Sequence, residues 1–287
     1  MASINDLAEP EHTITWCPGC GNYAILAALK KAIIDCGLEP HQTVVSSGVG
    51  CCSKLPHFIK TYGYEGLHGR EVAAASGTKL ANHELEVIAL GGDGDGLGIG
   101  VGHFVHACRR NYDMTYIVHD NHIYGLTTGQ TSPTSEQGFK SKSTPDGALE
   151  IPINPISLAI DSGATFVARG FSGELVHLSK LIAAGIKHKG FAFIDVMQPC
   201  VVWNKINTFE YYKQKCYKLD EDKKYDSTNK MMALAKAQEW ETKIPIGVIY
   251  QQDRPTYEDG LPMLGKGPLS KLPIDNVDMS GLLKEYE

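Results

Sequence analysis

Two apolar runs separated by one helix-length segment limit this chain more than any other feature. LEVIALGGDGDG reads as a buried strand ending in glycines and aspartates, GIGVGHFVHACRRNYD as a helix, and MTYIVHDN as the next strand. A strand that returns to the same sheet after a helix pairs parallel to the first. The rhythm recurs in GELVHLSKLIAAGIKHKG followed by FAFIDVMQP. Nearer the start, YAILAALKKAIIDCG has apolar residues at helical spacing with Gly37 as its C-cap, and TVVSSGVG follows as a short strand. These elements predict an α/β fold: an open, mostly parallel sheet with helices on both faces. Ligands of such sheets sit at the carboxyl ends of the strands, where loops 91–96 and 120–130 fall.

The 287 residues, 43% hydrophobic and 21% charged, suffice for the core of one large domain. A formal net charge of −6 provides no basic field, which argues against nucleic acid as a partner. No apolar run is long enough for a bilayer, and the polar opening MASINDLAEPEH does not read as a signal peptide. The expected location is the cytoplasm. Neither a repeat of fixed period nor a low-complexity tract is present. From Ile244 the composition turns to proline, glycine and charge, as in GVIYQQDRPTYEDGLPMLGKGPLSKLP. We therefore expect a domain over 1–243 and an extended arm over 244–287 that packs on it or on a partner subunit.

GGDGDG has a use at a strand end. Glycines let the backbone approach a phosphate, the following helix turns its N-terminus to the charge, and an aspartate offers a hard oxygen to a divalent ion. Neither G-x-G-x-x-G nor the Walker pattern is present, so the glycines alone decide nothing. Asn121, in DNHIYGLTTGQTSPT, stands 28 residues after Asp93. Adjacent parallel strands end on one edge, so Asp93 and Asn121 can converge on one ion, with the carbonyl of Ile123 as a third oxygen. This pairing resembles the thiamine diphosphate signature. Asp95 competes with Asp93 as the ligand, but the interval to Asn121 favours Asp93. His103 and His106, one turn apart, suggest zinc only weakly, because no third ligand stands in a suitable motif.

Eight cysteines remain, and in a reducing compartment grouped cysteines point to metal or redox work more than to disulfides. Cys17 and Cys20 in WCPGCGN can grip one face of a metal or cluster. Cys51 in GVGCCSKLP and Cys200 in MQPC both follow strand-like segments. Four thiolates suit an iron–sulfur cluster or structural zinc, and the spacing does not separate the two.

Taken together, WCPGCGN, GVGCCSKLP, GLHGR, GGDGDGLGIGVGH, HACRRN, DNHIYGLTTGQTSPT, MQPC and DRPTYEDGL resemble the β subunit of 2-oxoacid:ferredoxin oxidoreductases, over about residues 11–262. The resemblance implies that Cys17, Cys20, Cys51 and Cys200 hold a 4Fe-4S cluster. It implies Asp93, Asn121 and the Ile123 backbone oxygen as magnesium ligands. Val49, Gly50, Cys51, Cys52 and His68 would line thiamine diphosphate, and Gly94, Asp95, Gly125 and Leu126 its diphosphate. Cys52 departs from the many relatives with serine there and competes with Cys51 as the ligand, although the spacing from Cys20 favours Cys51. Cys36, Cys108 and Cys216 match nothing and read as core or surface residues.

The implied reaction is reversible oxidative decarboxylation of a 2-oxoacid, with coenzyme A taking the acyl group and electrons leaving through the cluster to ferredoxin. The resemblance places the glutamate that activates the cofactor on an α subunit, so the active site lies between subunits and αβ pairs dimerise. His68 and Lys54 are the catalytic candidates. Lys54, with Arg70 as the alternative, is a candidate partner for a substrate carboxylate. Relatives with WCPGCGN act on 2-oxoglutarate or on a broad range of 2-oxoacids, and 2-oxoglutarate is the expected substrate, with pyruvate the alternative. The rivals from other classes are a non-redox thiamine decarboxylase or synthase, for which the chain is short, and an electron-transfer subunit without thiamine, against which Asp93 and Asn121 stand.

Overall fold

The strand and helix alternation closes into an eight-stranded sheet in the computed structural model, which describes residues 2–273, 275 and 278–286. In chain order the first four strands are β1 (Thr43–Ser47), β2 (Tyr62–Glu65), β3 (Glu86–Gly92) and β4 (Met114–Asp120). Two short strands, β5 (Ile123–Tyr124) and β6 (Gln130–Thr131), pair with each other outside the sheet. Then come β7 (Phe166–Phe171), β8 (Phe191–Met197), β9 (Cys216–Lys218) and β10 (Ile244–Gln251). The order across the sheet is β2-β1-β3-β4-β8-β7-β10-β9. Every neighbouring pair is parallel except β10 with β7.

Helices cover both faces, as parallel sheets require. Along β3, Ile88 and Leu90 face one side, where they join α1 (Asn22–Asp35) through Ile25 and Leu29. Val87 and Ala89 face the other, with α2 (Glu71–Ala81) and, through Phe104 and Ala107, α3 (Val101–Arg110). The second half of the sheet repeats this. On the far side of β8, α4 (Pro155–Ser162) supplies Ile156 and Ile160. On the near side α5 (Leu175–Lys187) packs Leu178 and Ile182 with α1. The short α6 (Phe209–Lys215) and α7 (Lys230–Ala237) follow, and α8 (Ser280–Lys284) lies near the end.

Two expectations are corrected. The helix read from 98 starts only at Val101, because residues 95–99 form one wide turn with Gly98 off helical geometry (φ −82°, ψ −106°). The segment expected to begin the arm at Ile244 is instead β10, whose Ile244, Ile246 and Ile249 are fully buried or nearly so. The extended course starts at Gln252 and runs over the domain in short turns; residues 274, 276, 277 and 287 of the expected arm lie outside the described residues.

Asn111 clamps this course to the sheet. It ends α3 in the left-handed conformation (φ 58°). Its Nδ2 donates to the carbonyls of Arg254 and Pro255, both at 3.1 Å, and its Oδ1 accepts from Thr165 Oγ1 (2.6 Å) and the Phe191 N–H (2.8 Å). Asn111→Gly keeps the backbone geometry and loses all four bonds. At roughly 1 kcal/mol net per bond, urea unfolding should register a loss of about 2–4 kcal/mol. Asn111→Ala should lose about 1 kcal/mol more, from the left-handed backbone.

Candidate functional site

Strand order reverses direction at β1 and β3: the chain leaves β1 for β2 on one side and β3 for β4 on the other. A crevice opens at the carboxyl ends of strands that diverge in this way. A cavity of about 90 Å³ lies there, lined by Val49, Gly50, Cys51 and Cys52 after β1 and by Asp93, Gly94 and Asp95 after β3. Asn121, Ile123, Gly125 and Leu126 from the segment after β4 line it as well, with His68. Every residue expected at the diphosphate or the divalent ion thus meets around one space. Gly92, from GGDGDG, and Tyr124 and Thr127, from DNHIYGLTTGQTSPT, also line it, although neither motif gave them a role.

Asp93 is 1% exposed. Its Oδ2 accepts from the hydroxyls of Ser132 (2.5 Å) and Thr134 (2.8 Å), and its Oδ1 from the N–H of Asn121 (3.4 Å). Burial pushes its pKa up, while the Ser132 hydroxyl, the neighbouring His122 and the Thr134 hydroxyl act against that rise. Ser132 and Thr134 stand in the TSPT end of the Asn121 motif, but spacing gave no sign that they turn back to Asp93. The Asn121 side chain is fixed at both ends: Nδ2 donates to Gln198 Oε1 (3.1 Å), and Oδ1 accepts from the Ile123 N–H (3.1 Å). One carboxylate, one amide oxygen and a backbone carbonyl are hard donors, suited to magnesium rather than to a soft metal.

Asp95 is occupied differently. Its Oδ1 accepts from the N–H groups of Gly92 (2.5 Å) and Gly96 (3.1 Å), and its Oδ2 from that of Val49 (2.9 Å). It ties the loop after β1 to the loop after β3 and has little freedom to turn to an ion. Beside it, buried Glu71 has its pKa pushed up to about 8 by burial and then by Asp95, and accepts from Tyr116 Oη at 2.9 Å. His68 donates Nδ1–H to the Val49 carbonyl (3.1 Å).

The four cysteines expected together lie together. Cys17-Pro18-Gly19-Cys20 is a tight turn, closed by the Cys20 N–H on the Cys17 carbonyl (3.0 Å), with Gly19 at φ +80°. Proline then glycine at its centre are the residues a type II turn demands. Trp16 Nε1 donates to the Cys51 carbonyl (2.6 Å), which draws this turn to the loop after β1. Burial drives the Cys20 pKa up to about 12, against the Asn22 N–H, and Cys200, Cys51 and Cys17 add to the rise. Burial also raises Cys51, then Cys200 does, with Lys54 acting against them. Among the described residues no three His, Cys, Asp or Glu side chains close on a single ion.

The cage and the cavity share a wall. A Cβ on Gly125 would lie 3.7 Å from Cys51 Sγ, 3.8 Å from Cys200 Sγ and 3.9 Å from Asn121 Nδ2, so a side chain there would fill the space between the two sites.

Other candidates fall elsewhere. Cys52 is buried toward Gly92 and Asp95, away from the cage, and its thiol lies 3.5 Å from Ser53 Oγ. Lys54 does not line the cavity; its ammonium donates to Thr15 Oγ1 (3.3 Å) and faces Cys51. Arg70 donates to His103 Nε2 (2.9 Å), which engages that ring with a cation rather than a metal. Cys36 hydrogen-bonds the Ala183 carbonyl (3.6 Å), and Cys108 is buried in the core around α3.

Residues 48–196 match the family model of the thiamine pyrophosphate enzyme C-terminal, TPP-binding domain. Residues 200–266 match that of the C-terminal part of the pyruvate ferredoxin oxidoreductase beta subunit. The chain is 52% identical over 256 residues to 2-oxoacid:ferredoxin oxidoreductase 1, subunit beta, of Aeropyrum pernix, covering 86% of this chain and 80% of the relative. It is 48% identical over 291 residues to the 2-oxoacid:ferredoxin oxidoreductase subunit beta of Saccharolobus solfataricus, covering 94% and 95%. A solved structure, the 2-oxoglutarate:ferredoxin oxidoreductase from Magnetococcus marinus with 2-oxoglutarate, coenzyme A and succinyl-CoA bound, superimposes with a TM-score of 0.91 at 35% identity, over 100% of this chain and 96% of that one. No helix among the described residues is long and apolar enough to cross a membrane. By sequence and fold, this chain belongs to the β subunits of the 2-oxoacid:ferredoxin oxidoreductases, thiamine-dependent enzymes that it enters as the partner of an α subunit.

Proposed function

We propose that this chain holds thiamine diphosphate, magnesium and a 4Fe-4S cluster in a cytoplasmic enzyme that reversibly oxidises 2-oxoglutarate with coenzyme A and passes the electrons to ferredoxin. The observation that carries this reading is the shared wall at Gly125, which sets the Cys51 and Cys200 thiols beside the Asn121 amide. Bound in the cavity, thiamine diphosphate supplies the carbanion chemistry by which a 2-oxoacid loses CO₂. The residues of this chain hold and shape it. Asp93, the Asn121 amide oxygen and the Ile123 carbonyl would hold the magnesium ion. Gly94, Asp95, Gly125 and Leu126 give the diphosphate its wall, and Val49, Gly50, Cys52 and His68 line the rest. Cys17, Cys20, Cys51 and Cys200 would be the thiolate ligands of the cluster, and the inward course of Cys52 favours Cys51 over it. The α subunit and its glutamate complete the site in dimerised αβ pairs.

The ligands bound to the Magnetococcus marinus enzyme support 2-oxoglutarate as substrate and coenzyme A as acyl acceptor. A second reading, a broad 2-oxoacid range including pyruvate, draws on the higher identity to the Aeropyrum pernix and Saccharolobus solfataricus chains, whose names specify only 2-oxoacid. Comparison of kcat/KM for 2-oxoglutarate, pyruvate and 2-oxobutyrate on the assembled enzyme decides between them. A strong preference for 2-oxoglutarate is expected; equal values would establish the broad reading. The chain without its α subunit should have no turnover.

The ion site has its own test. Asp93→Ala should weaken magnesium-dependent thiamine diphosphate binding, read by calorimetry, by more than the roughly 10–100-fold typical of residues one step removed from a metal. Asp95→Asn should weaken it less, since Asp95 holds loops rather than the ion.

For the cluster, anaerobic wild-type β chain should contain about four iron atoms and four sulfides. Cys51→Ser should lose most of them, and Cys52→Ser should keep the full complement. The reverse result would exchange the two ligands.

A further inference from the structure

Gln198, directly after β8, touches both sites. It is 1% exposed. Its Oε1 accepts from Asn121 Nδ2 (3.1 Å), while its Nε2 donates to the Pro199 carbonyl (2.8 Å) and to Cys20 Sγ (3.4 Å). A carbonyl only accepts, so the nitrogen is fixed on the side of Pro199 and Cys20, and the oxygen on the side of Asn121. Both hydrogens and the oxygen are used, and the Gln198 backbone is pinned as well, its N–H donating to the Asp120 carbonyl (2.8 Å). Space for this amide is reserved in WCPGCGN: a Cβ on Gly21 would come within 2.9 Å of Gln198 Cγ and 2.7 Å of Ser172 Oγ.

We infer that Gln198 is a positioning residue that joins the two centres: it turns the Asn121 oxygen toward the ion and donates a hydrogen bond to the cluster ligand Cys20. This rests on the proposed function. The physical consequences follow from each end. Asn121 can present Oδ1 to an ion only while Nδ2 has a partner on the other side, and Gln198 is that partner. An N–H aimed at a thiolate of an iron–sulfur cluster stabilises the more negative, reduced state and so raises the potential. Neither function needs Gln198 to touch the substrate or the cofactor.

The test uses the assembled αβ enzyme, with EPR-monitored redox titration of the cluster and magnesium titration of thiamine diphosphate binding. Gln198→Met removes both contacts at nearly constant volume. The midpoint potential should fall by about the 59 mV that corresponds to a tenfold change for one electron. The magnesium concentration for half-saturation should rise by roughly 10–100-fold. Gln198→Glu keeps an oxygen for Asn121 and removes the N–H that reaches Cys20, so its potential should fall while its magnesium dependence stays close to wild type. This split also decides the matter should the Met variant fail to assemble. A potential unchanged in variants that retain full iron would overturn the inference and leave the proposed function standing. Wild-type enzyme with no cluster on this chain would overturn the proposed function, and the inference with it.

Discussion

The parallel pairing of β3 with β4 is the constraint on which the site depends. The two strands run in register to their ends, Gly92 opposite His119, so the residues that follow emerge side by side. Asp93 and Asn121 are in contact because of that register, and not because any loop searches for the other. The next pairing extends the edge: Asp120 lies opposite Met197, which delivers Gln198 and Cys200 to the same rim. β1, on the other side of β3, delivers Val49 to Cys52. Four adjacent strand ends thus supply most of the chemistry, while His68 arrives from the loop after β2, and Cys17 and Cys20 on the turn ahead of α1.

Such a rim is costly to build without a compensating charge. Asp93, Asp95 and Glu71 bring three carboxyl groups to one small region, and burial raises the pKa of each. Thiols crowd nearby, with Cys20 held up at about 12. Groups in this condition favour their protonated forms until a cation arrives, and binding a metal then releases protons. Hydrogen bonds offset part of this cost: two hydroxyls on Asp93, three backbone N–H groups on Asp95, and Tyr116 on Glu71. The rest is left to whatever binds, which makes the rim a place where ligand and fold are thermodynamically linked.

The sequence revealed the pieces that repeat or carry a fixed interval. The alternation of LEVIALGG, a helix and MTYIVHDN was enough for a parallel sheet, and the 28-residue step from Asp93 to Asn121 sufficed for one shared space. β10 escaped because IPIGVIYQ carries Pro245 and Gly247, residues that argue against a strand. The structure accommodates them near the sheet's edge, where β10 pairs with the three-residue β9 and slips register against β7 between Val248 and Tyr250. Lys54 is expected near a substrate carboxylate because it follows Cys51 closely, and the turn over 52–58 sets its ammonium beside Thr15. His103 and His106 stand one turn apart, only a weak zinc signal without a third ligand, and Arg70 engages His103 from 33 residues away. Gln198 stands in MQPC, but nothing in that motif gave it a role: a glutamine's partners are set by which strand ends meet, and no single stretch of chain records that.

The four cysteines are not equivalent in their exposure. Cys17 stands in solvent, while Cys20, Cys51 and Cys200 are half-buried behind it, with Trp16 sealing the side toward α1 and Phe58. On the proposed reading, the corner nearest an arriving electron carrier is also the corner nearest dissolved oxygen. Tolerance of air and speed of discharge would then be governed by the same few square ångströms, and a change that shields one would slow the other.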